Sequence, residues 1–308
     1  MTRSDVWLRM LLYPRHPLPT ALAPVLVAGA LAWHEGVFAP LTALAALLAG
    51  WLVQLGGVFT DNYTNLVRHP DDREHALFVQ ALRRGVISLG TLRLAIVGVY
   101  AGAVLVGLYL VAIGGRPALL IGLASIAASL AYSVGPFPLG DRALGDPLFF
   151  VFFGLVSVLG TYYVQAAAVL GAGAGWWPAA GTLPPVAWVA GLPVAALTTN
   201  ILIIDNIRDR AFDRAKRETT VAVLIGRRWS LAEYGALLAL AYGVPPGLFA
   251  WGGWPGWVCL PWLSLPYALW VYRRLLRTDG HDALVPLTPQ AGQVLLAHTA
   301  LFAAGLAL

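Results

Sequence analysis

Long apolar stretches recur from one end of this chain to the other, and they restrict what it can fold into more than any other feature. About 20 residues are needed to cross the hydrocarbon core of a bilayer as a helix. By that measure the chain reads as about nine spans, at approximately 18–34, 40–66, 89–113, 117–135, 147–171, 184–206, 229–251, 256–273 and 289–307. In lipid every backbone polar group must be satisfied internally, so stretches of this length are helices. Composition agrees: the chain is 59% hydrophobic and 11% charged, where a soluble domain carries about 25% charged residues. The expectation is an all-α polytopic membrane protein. No connector is long enough to hold a soluble domain, so residues 1–308 read as one transmembrane domain.

The connectors alternate in character. Those at 67–88, 136–146, 207–228 and 274–288 are polar, whereas those at 35–39, 114–116, 172–183 and 252–255 are short or rich in Gly, Pro and Trp. Every Lys and Arg except Arg116 falls on the side of the polar connectors and the N-terminus. By the positive-inside rule that side is cytoplasmic, and an odd number of spans sends the C-terminus to the opposite side. The expected location is the inner (cytoplasmic) membrane, with no cleavable signal peptide. The net charge of +5 is read as orientation in the bilayer. No basic run carries interleaved aromatics, so nucleic acid is not an expected partner. Cys259 is the lone cysteine, and no His pair has zinc-ligand spacing. Nothing in the chain calls for an obligate protein partner.

Almost all the acids share the polar side. The strongest signal is Asn200-Ile-Leu-Ile-Ile-Asp205-Asn206-Ile-Arg208-Asp209-Arg210-Ala-Phe-Asp213-Arg214. Asp205, Asp209 and Asp213 are spaced i, i+4, i+8, which places three carboxylates along one helical stripe. Like charges at that spacing repel unless something cationic binds. Mg²⁺ is the natural candidate, a hard ion that takes one or two carboxylates plus substrate phosphates. Arg208, Arg214 and Lys216 are suited to the remaining phosphate oxygens. The plain alternative is a juxtamembrane helix whose acids pair with nearby arginines. Asp205 argues for function, because it still lies within the apolar run, where an ionisable group is costly.

A second cluster, Asp61-Asn62-Tyr63-Thr64-Asn65-Leu-Val-Arg68-His69-Pro70-Asp71-Asp72, ends another span. Asp61 and Asn65 are i, i+4 and face one way. Together the clusters suggest two acidic helix ends facing each other across a diphosphate, with metal ions bridging carboxylate to phosphate.

These clusters resemble the two aspartate-rich motifs of the UbiA superfamily of intramembrane prenyltransferases, nearest to its 1,4-dihydroxy-2-naphthoate branch of menaquinone synthesis. The resemblance spans approximately residues 14–228. It includes Pro14-Arg15, Leu18-Pro19, Gln54, Gly85-Val-Ile-Ser88, Tyr132-Ser-Val-Gly135-Pro136-Phe-Pro138-Leu-Gly140 and Leu144-Gly145-Asp146. Phe152-Phe153-Gly154, Gly160-Thr161-Tyr162-Tyr163-Val164-Gln165, Thr220 and Gly226 extend it. The first motif departs from the branch, which reads Asn-Asp-Tyr-x-Asp where Asp61-Asn62-Tyr63-Thr64-Asn65 stands here, so one carboxylate is replaced by an amide. Arg217-Glu218-Thr219-Thr220 likewise stands where the branch has Gly-Lys-x-Thr.

The resemblance implies a nine-helix bundle with a central cavity open to lipid, and transfer of a polyprenyl group from its diphosphate to an aromatic acceptor such as 1,4-dihydroxy-2-naphthoate. It implies that Asp205, Asp209 and Asp213 hold one Mg²⁺, and that Asp61, Asn65 and Asp71 hold or position another. Arg208, Arg214 and Lys216 would bind the diphosphate. Tyr63 and Tyr132 would face an allylic cation, and Asn206 would orient the acceptor or a ligand. Asp146 either shapes the acceptor pocket or caps a helix. Two rivals stand beside this reading: a membrane terpene cyclase on the same scaffold, and a non-catalytic isoprenoid or quinone binder.

Overall fold

The computed structural model describes residues 4, 6, 7, 17–68, 81 and 84–308. Asp71 and Asp72 of the first acidic cluster lie outside the described residues, as do Pro14 and Arg15. Among the described residues the chain is helical with no strand. In order, α1 is Pro17–His34, α2 Pro40–Arg68, α3 Leu89–Ser133 and α4 Gly145–Leu170. Then come α5 Pro185–Lys216, α6 Val221–Trp251, α7 Leu265–Arg277 behind a 3-10 run Gly256–Ser264, α8 His281–Leu284 and α9 Leu287–Ala307.

Four of these, α2, α3, α4 and α5, are long and apolar enough to cross a membrane by length and composition alone. At 1.5 Å per residue the 45 residues of α3 would reach about 68 Å, over twice the hydrocarbon thickness. The helix therefore folds back. Gly115 has φ 63° and ψ −150°, a conformation that a side chain disfavours, and Pro117 starts the second arm with its φ already helical. The two spans expected at 89–113 and 117–135 are the arms of this hairpin. Counting each arm, joining the 3-10 run to α7 and leaving out the four-residue α8 gives nine rods among the described residues.

Burial separates the axis of the bundle from its wall. In α5, 78% of the most apolar stretch is buried, against 6% in α3. The main core gathers α5 with α1, α4, α6, α7 and α9, through residues such as Ala28, Val158, Ile201, Leu238 and Leu295. The outer face of α3 leaves Leu94, Val97 and Leu105 exposed, as a lipid-facing surface does. Where α4 crosses α5 the backbones touch: a Cβ on Gly154 would fall 2.1 Å from that of Ala195. Gly154 lies in a π-helical stretch, Phe149–Val156, whose widened turn is closed by Ser157 Oγ donating to the Phe152 carbonyl at 2.7 Å.

Candidate active site

Both acidic motifs sit on helices that run past their apolar stretches. α2 continues to Arg68 and carries Asp61 and Asn65; α5 continues to Lys216 and carries Asp205, Asp209 and Asp213 on a single helix. The connector expected from residue 207 is thus helical for its first ten residues, and the i, i+4, i+8 stripe is real.

In the first motif both oxygens of Asp61 are held. Ser133 Oγ, at the end of α3, donates to Oδ1 at 2.7 Å, and Asn65 Nδ2 donates to Oδ2 at 3.3 Å. Asn62 turns the other way and donates to the Val58 carbonyl at 2.7 Å. Tyr63 meets Arg93: its hydroxyl accepts from Nε at 2.5 Å, and the guanidinium carbon lies 5.1 Å from the ring centroid. The face of Tyr63 expected to meet a substrate cation is thus turned to a protein cation.

In the second motif Arg208 lies between the acids. Its guanidinium hydrogen-bonds Asp205 through Nη1 and Asp209 through Nε and Nη2. Thr288 at the start of α9 donates to Asp205 Oδ1 at 2.6 Å, and His281 Nε2 lies 3.2 Å from Asp209 Oδ1. Asp213, one turn further, is buried and accepts from Thr220 Oγ1 at 3.2 Å. Arg214 is exposed and Lys216 half-buried at the helix end. The cation that the acidic stripe requires is therefore supplied, in this structure, from within the motif.

Tyr132 joins the two motifs. Its neighbour Ser133 bonds Asp61, and its ring packs against Gly140 and Gly145, beside Asp146 at the start of α4. Asn206 donates to Asp146 Oδ1 at 2.9 Å, tying α5 to the start of α4. The rim is tied as well. Arg68 reaches Asp141 at 3.2 Å and the Gly135 carbonyl at 3.2 Å, and the Asp141 carbonyl accepts from Thr219 N at 2.7 Å.

An apolar cavity of about 230 Å³ lies between α1, α2, α4 and both arms of α3. Ser129 on its wall is one turn from Ser133, and Leu148 is two residues from Asp146, so its polar end adjoins the acids. The rings of Tyr132 and Phe149 are 5.8 Å apart and those of Phe149 and Phe153 4.5 Å, and Phe153 lines the cavity. An aromatic path thus leads from the acidic end inward.

Among the described residues no three His, Cys, Asp or Glu side chains gather tightly enough to ligate a metal by themselves. The donors present are hard oxygens, the Asp205 and Asp209 carboxylates with the Thr288 hydroxyl nearby. That set fits Mg²⁺, which keeps waters and accepts phosphate oxygens and does not need a closed protein cage. It does not suit zinc, whose sites favour His and Cys.

Residues 21–285 match the UbiA prenyltransferase family. The chain belongs to that family. This UbiA protein is 30% identical over 317 residues to the 1,4-dihydroxy-2-naphthoate octaprenyltransferase of Escherichia coli (strain K12), covering 99% of this chain and 96% of that one. Its fold is similar to that of a UbiA homolog from Aeropyrum pernix K1 (TM-score 0.66, 19% identity, covering 93% of this chain and 96% of that one). It is also similar to a UbiA homolog from Archaeoglobus fulgidus bound to DMAPP and Mg²⁺ (TM-score 0.57, 16% identity, covering 96% and 98%). The family and the all-helical membrane bundle expected from the sequence both hold. Sequence reasoning on this UbiA chain missed Ser133, Arg93, His281 and Thr288. Ser133 lay unremarked beside Tyr132, and the other three flank or occupy polar connectors on the acidic side, which was the available signal.

Proposed function

We propose that this protein transfers a polyprenyl group from its allylic diphosphate to an aromatic acceptor, 1,4-dihydroxy-2-naphthoate, in quinone synthesis. The observation that carries the reading is that the helices bearing both motifs are tied at one end of the bundle, Asp61 to Ser133 and Asn206 to Asp146, next to an apolar cavity whose wall includes Ser129 and Leu148. Near-full-length similarity to a naphthoate octaprenyltransferase supports the choice of acceptor. The prenyl chain lies in the cavity and the diphosphate at the acidic end. Mg²⁺, when bound, neutralises charge on the departing diphosphate. Asp205 and Asp209 would hold one Mg²⁺, and Asp61 and Asn65, with Asp71 of the same motif, would hold or position another. Asp213, further down the stripe, accepts from Thr220 and fixes the end of α5 at its junction with α6. Arg208, Arg214 and Lys216 contact phosphate oxygens.

The allylic C–O bond breaks with its electron pair going to the diphosphate. Tyr132, with Phe149 behind it, presents ring faces to the cation left on carbon. An acceptor carbon ortho to a hydroxyl or carboxyl attacks, a C–C bond forms, and the proton on that carbon passes to the released diphosphate, which restores aromaticity. Asn206, fixed by Asp146, orients the acceptor. Burial in the bundle keeps water from quenching the cation. In this reading the acidic end is cytoplasmic, which the distribution of Arg and Lys supports.

One observation favours a second reading, a non-catalytic isoprenoid binder: Arg208 already neutralises Asp205 and Asp209. The test uses purified protein in nanodiscs with an allylic polyprenyl diphosphate, with and without Mg²⁺ and 1,4-dihydroxy-2-naphthoate. Pyrophosphate and prenylated naphthoquinol should appear together, and the Asp209→Ala variant should lose both by a factor of at least ~10². Hydrocarbon products alone would mean a cyclase. Absence of Mg²⁺-dependent turnover in folded protein would leave the binder.

A further inference from the structure

The segment from α8 to the first turn of α9 lies far from both motifs in sequence, yet it delivers two side chains onto the second one. Thr288 is fully buried. Its hydroxyl proton points at Asp205 Oδ1 from 2.6 Å, and its oxygen faces Arg208 Nη1 at 3.3 Å. His281 sits 3.2 Å from Asp209 Oδ1 through Nε2, with Nδ1 3.1 Å from Asp282 Oδ1. The edge of its ring meets Phe212 at 5.3 Å with an interplanar angle of 89°, which fixes the ring plane. A carboxylate on a helix surface is free to rotate about χ1 and χ2. Here Asp205 is fixed from α9 and Asp209 from α8.

We infer that Thr288 and His281 are positioning residues for the second acidic motif, Thr288 setting the orientation of the Asp205 carboxylate and His281 that of Asp209. The inference rests on the reading of those acids as metal-holding groups. Partners that orient ligating carboxylates typically carry a 10–100-fold share of metal affinity. The C-terminal part of the chain is then a third contributor to the site, beside α2 and α5.

The test reads binding, not turnover. Mn²⁺ replaces Mg²⁺ and is followed by loss of its free paramagnetic signal, with farnesyl thiolodiphosphate present as an uncleaved diphosphate. Thr288→Val keeps the volume and removes the hydroxyl; it should weaken Mn²⁺ binding ~10-fold or more. Thr288→Ser should return it to within ~3-fold of the parent, with thermal stability in detergent unchanged across the set. His281→Leu should weaken Mn²⁺ binding by a similar factor. If Thr288→Val does not fold, Thr288→Ala carries the same comparison. Unaltered Mn²⁺ affinity in folded Thr288 and His281 variants overturns the inference and leaves the reading of the acids intact. Failure of the parent protein to bind Mn²⁺ overturns both.

Discussion

Asn206 Nδ2 donates to Asp146 Oδ1 across 2.9 Å, and through that bond the second acidic motif is fixed to the first turn of α4. Asp146 is only 3% exposed, so the amide serves a carboxyl that water barely reaches. Replacing Asn206 with Asp sets two carboxyls against each other and should cost about 1–3 kcal/mol. Adding Asp146→Asn restores an amide–carboxyl pair with the roles exchanged, and most of the loss should return. Unfolding in detergent across the cycle measures this. Additive effects would mean that the two side chains do not act as a pair.

The three aspartates of α5 should separate by phenotype. Asp205 and Asp209 face Arg208, Thr288 and His281, whereas Asp213 is buried against Thr220 at the junction with α6. Asp205→Asn and Asp209→Asn should remove activity by ~10²-fold or more with little change in unfolding temperature. Asp213→Ala should lower stability by about 1–2 kcal/mol, because Thr220 Oγ1 loses its acceptor in a buried place. Equal stability losses in all three variants would contradict this division.

Gly154 gives a purely steric prediction. Its missing Cβ would lie 2.1 Å from Ala195 Cβ, 2.2 Å from Ala195 Cα and 2.7 Å from Ala195 N. Gly154→Ala should destabilise by about 1–3 kcal/mol. Ala195→Gly should not rescue it, since the nearest remaining atoms are backbone. Rescue by that substitution would show that α4 and α5 can slide apart.

The cavity predicts selectivity for chain length. Gly122 lines it, and a Cβ there meets nothing within 4 Å. Along α3 it stands about 16 Å from Ser133 at 1.5 Å per residue. Gly122→Phe should therefore raise KM for long polyprenyl diphosphates by ~10-fold or more and leave a five-carbon donor nearly unaffected. A uniform effect on both donors would place the prenyl chain elsewhere.

Much of this arrangement was legible in the sequence because lipid leaves the chain few options. Apolar length gave the rods, and the i, i+4, i+8 spacing gave the carboxylate stripe. Two local features stayed hidden. The span read to end at residue 206 continues to Lys216 as helix, since charged residues sustain a helix as readily as apolar ones once α6 packs beside it. The pairing of Arg208 with Asp205 and Asp209 is the second, because spacing places these side chains on one face without fixing which rotamer the guanidinium takes. Thr288 and His281 escaped because contacts across some 80 residues leave no periodic trace.

The bend at Gly115 also bears on how the protein enters its membrane. Only Gly115 and Arg116 separate the arms of α3, and Arg116 is anchored at the turn by the Ala174 carbonyl at 3.2 Å and the Trp176 ring at 5.1 Å. A single arm inserted alone would drag the unpaired end of its partner through hydrocarbon, and a charge stranded at mid-membrane is expensive. The two arms should therefore insert as one hairpin with Arg116 at its tip, so that this wall of the cavity is put in place together.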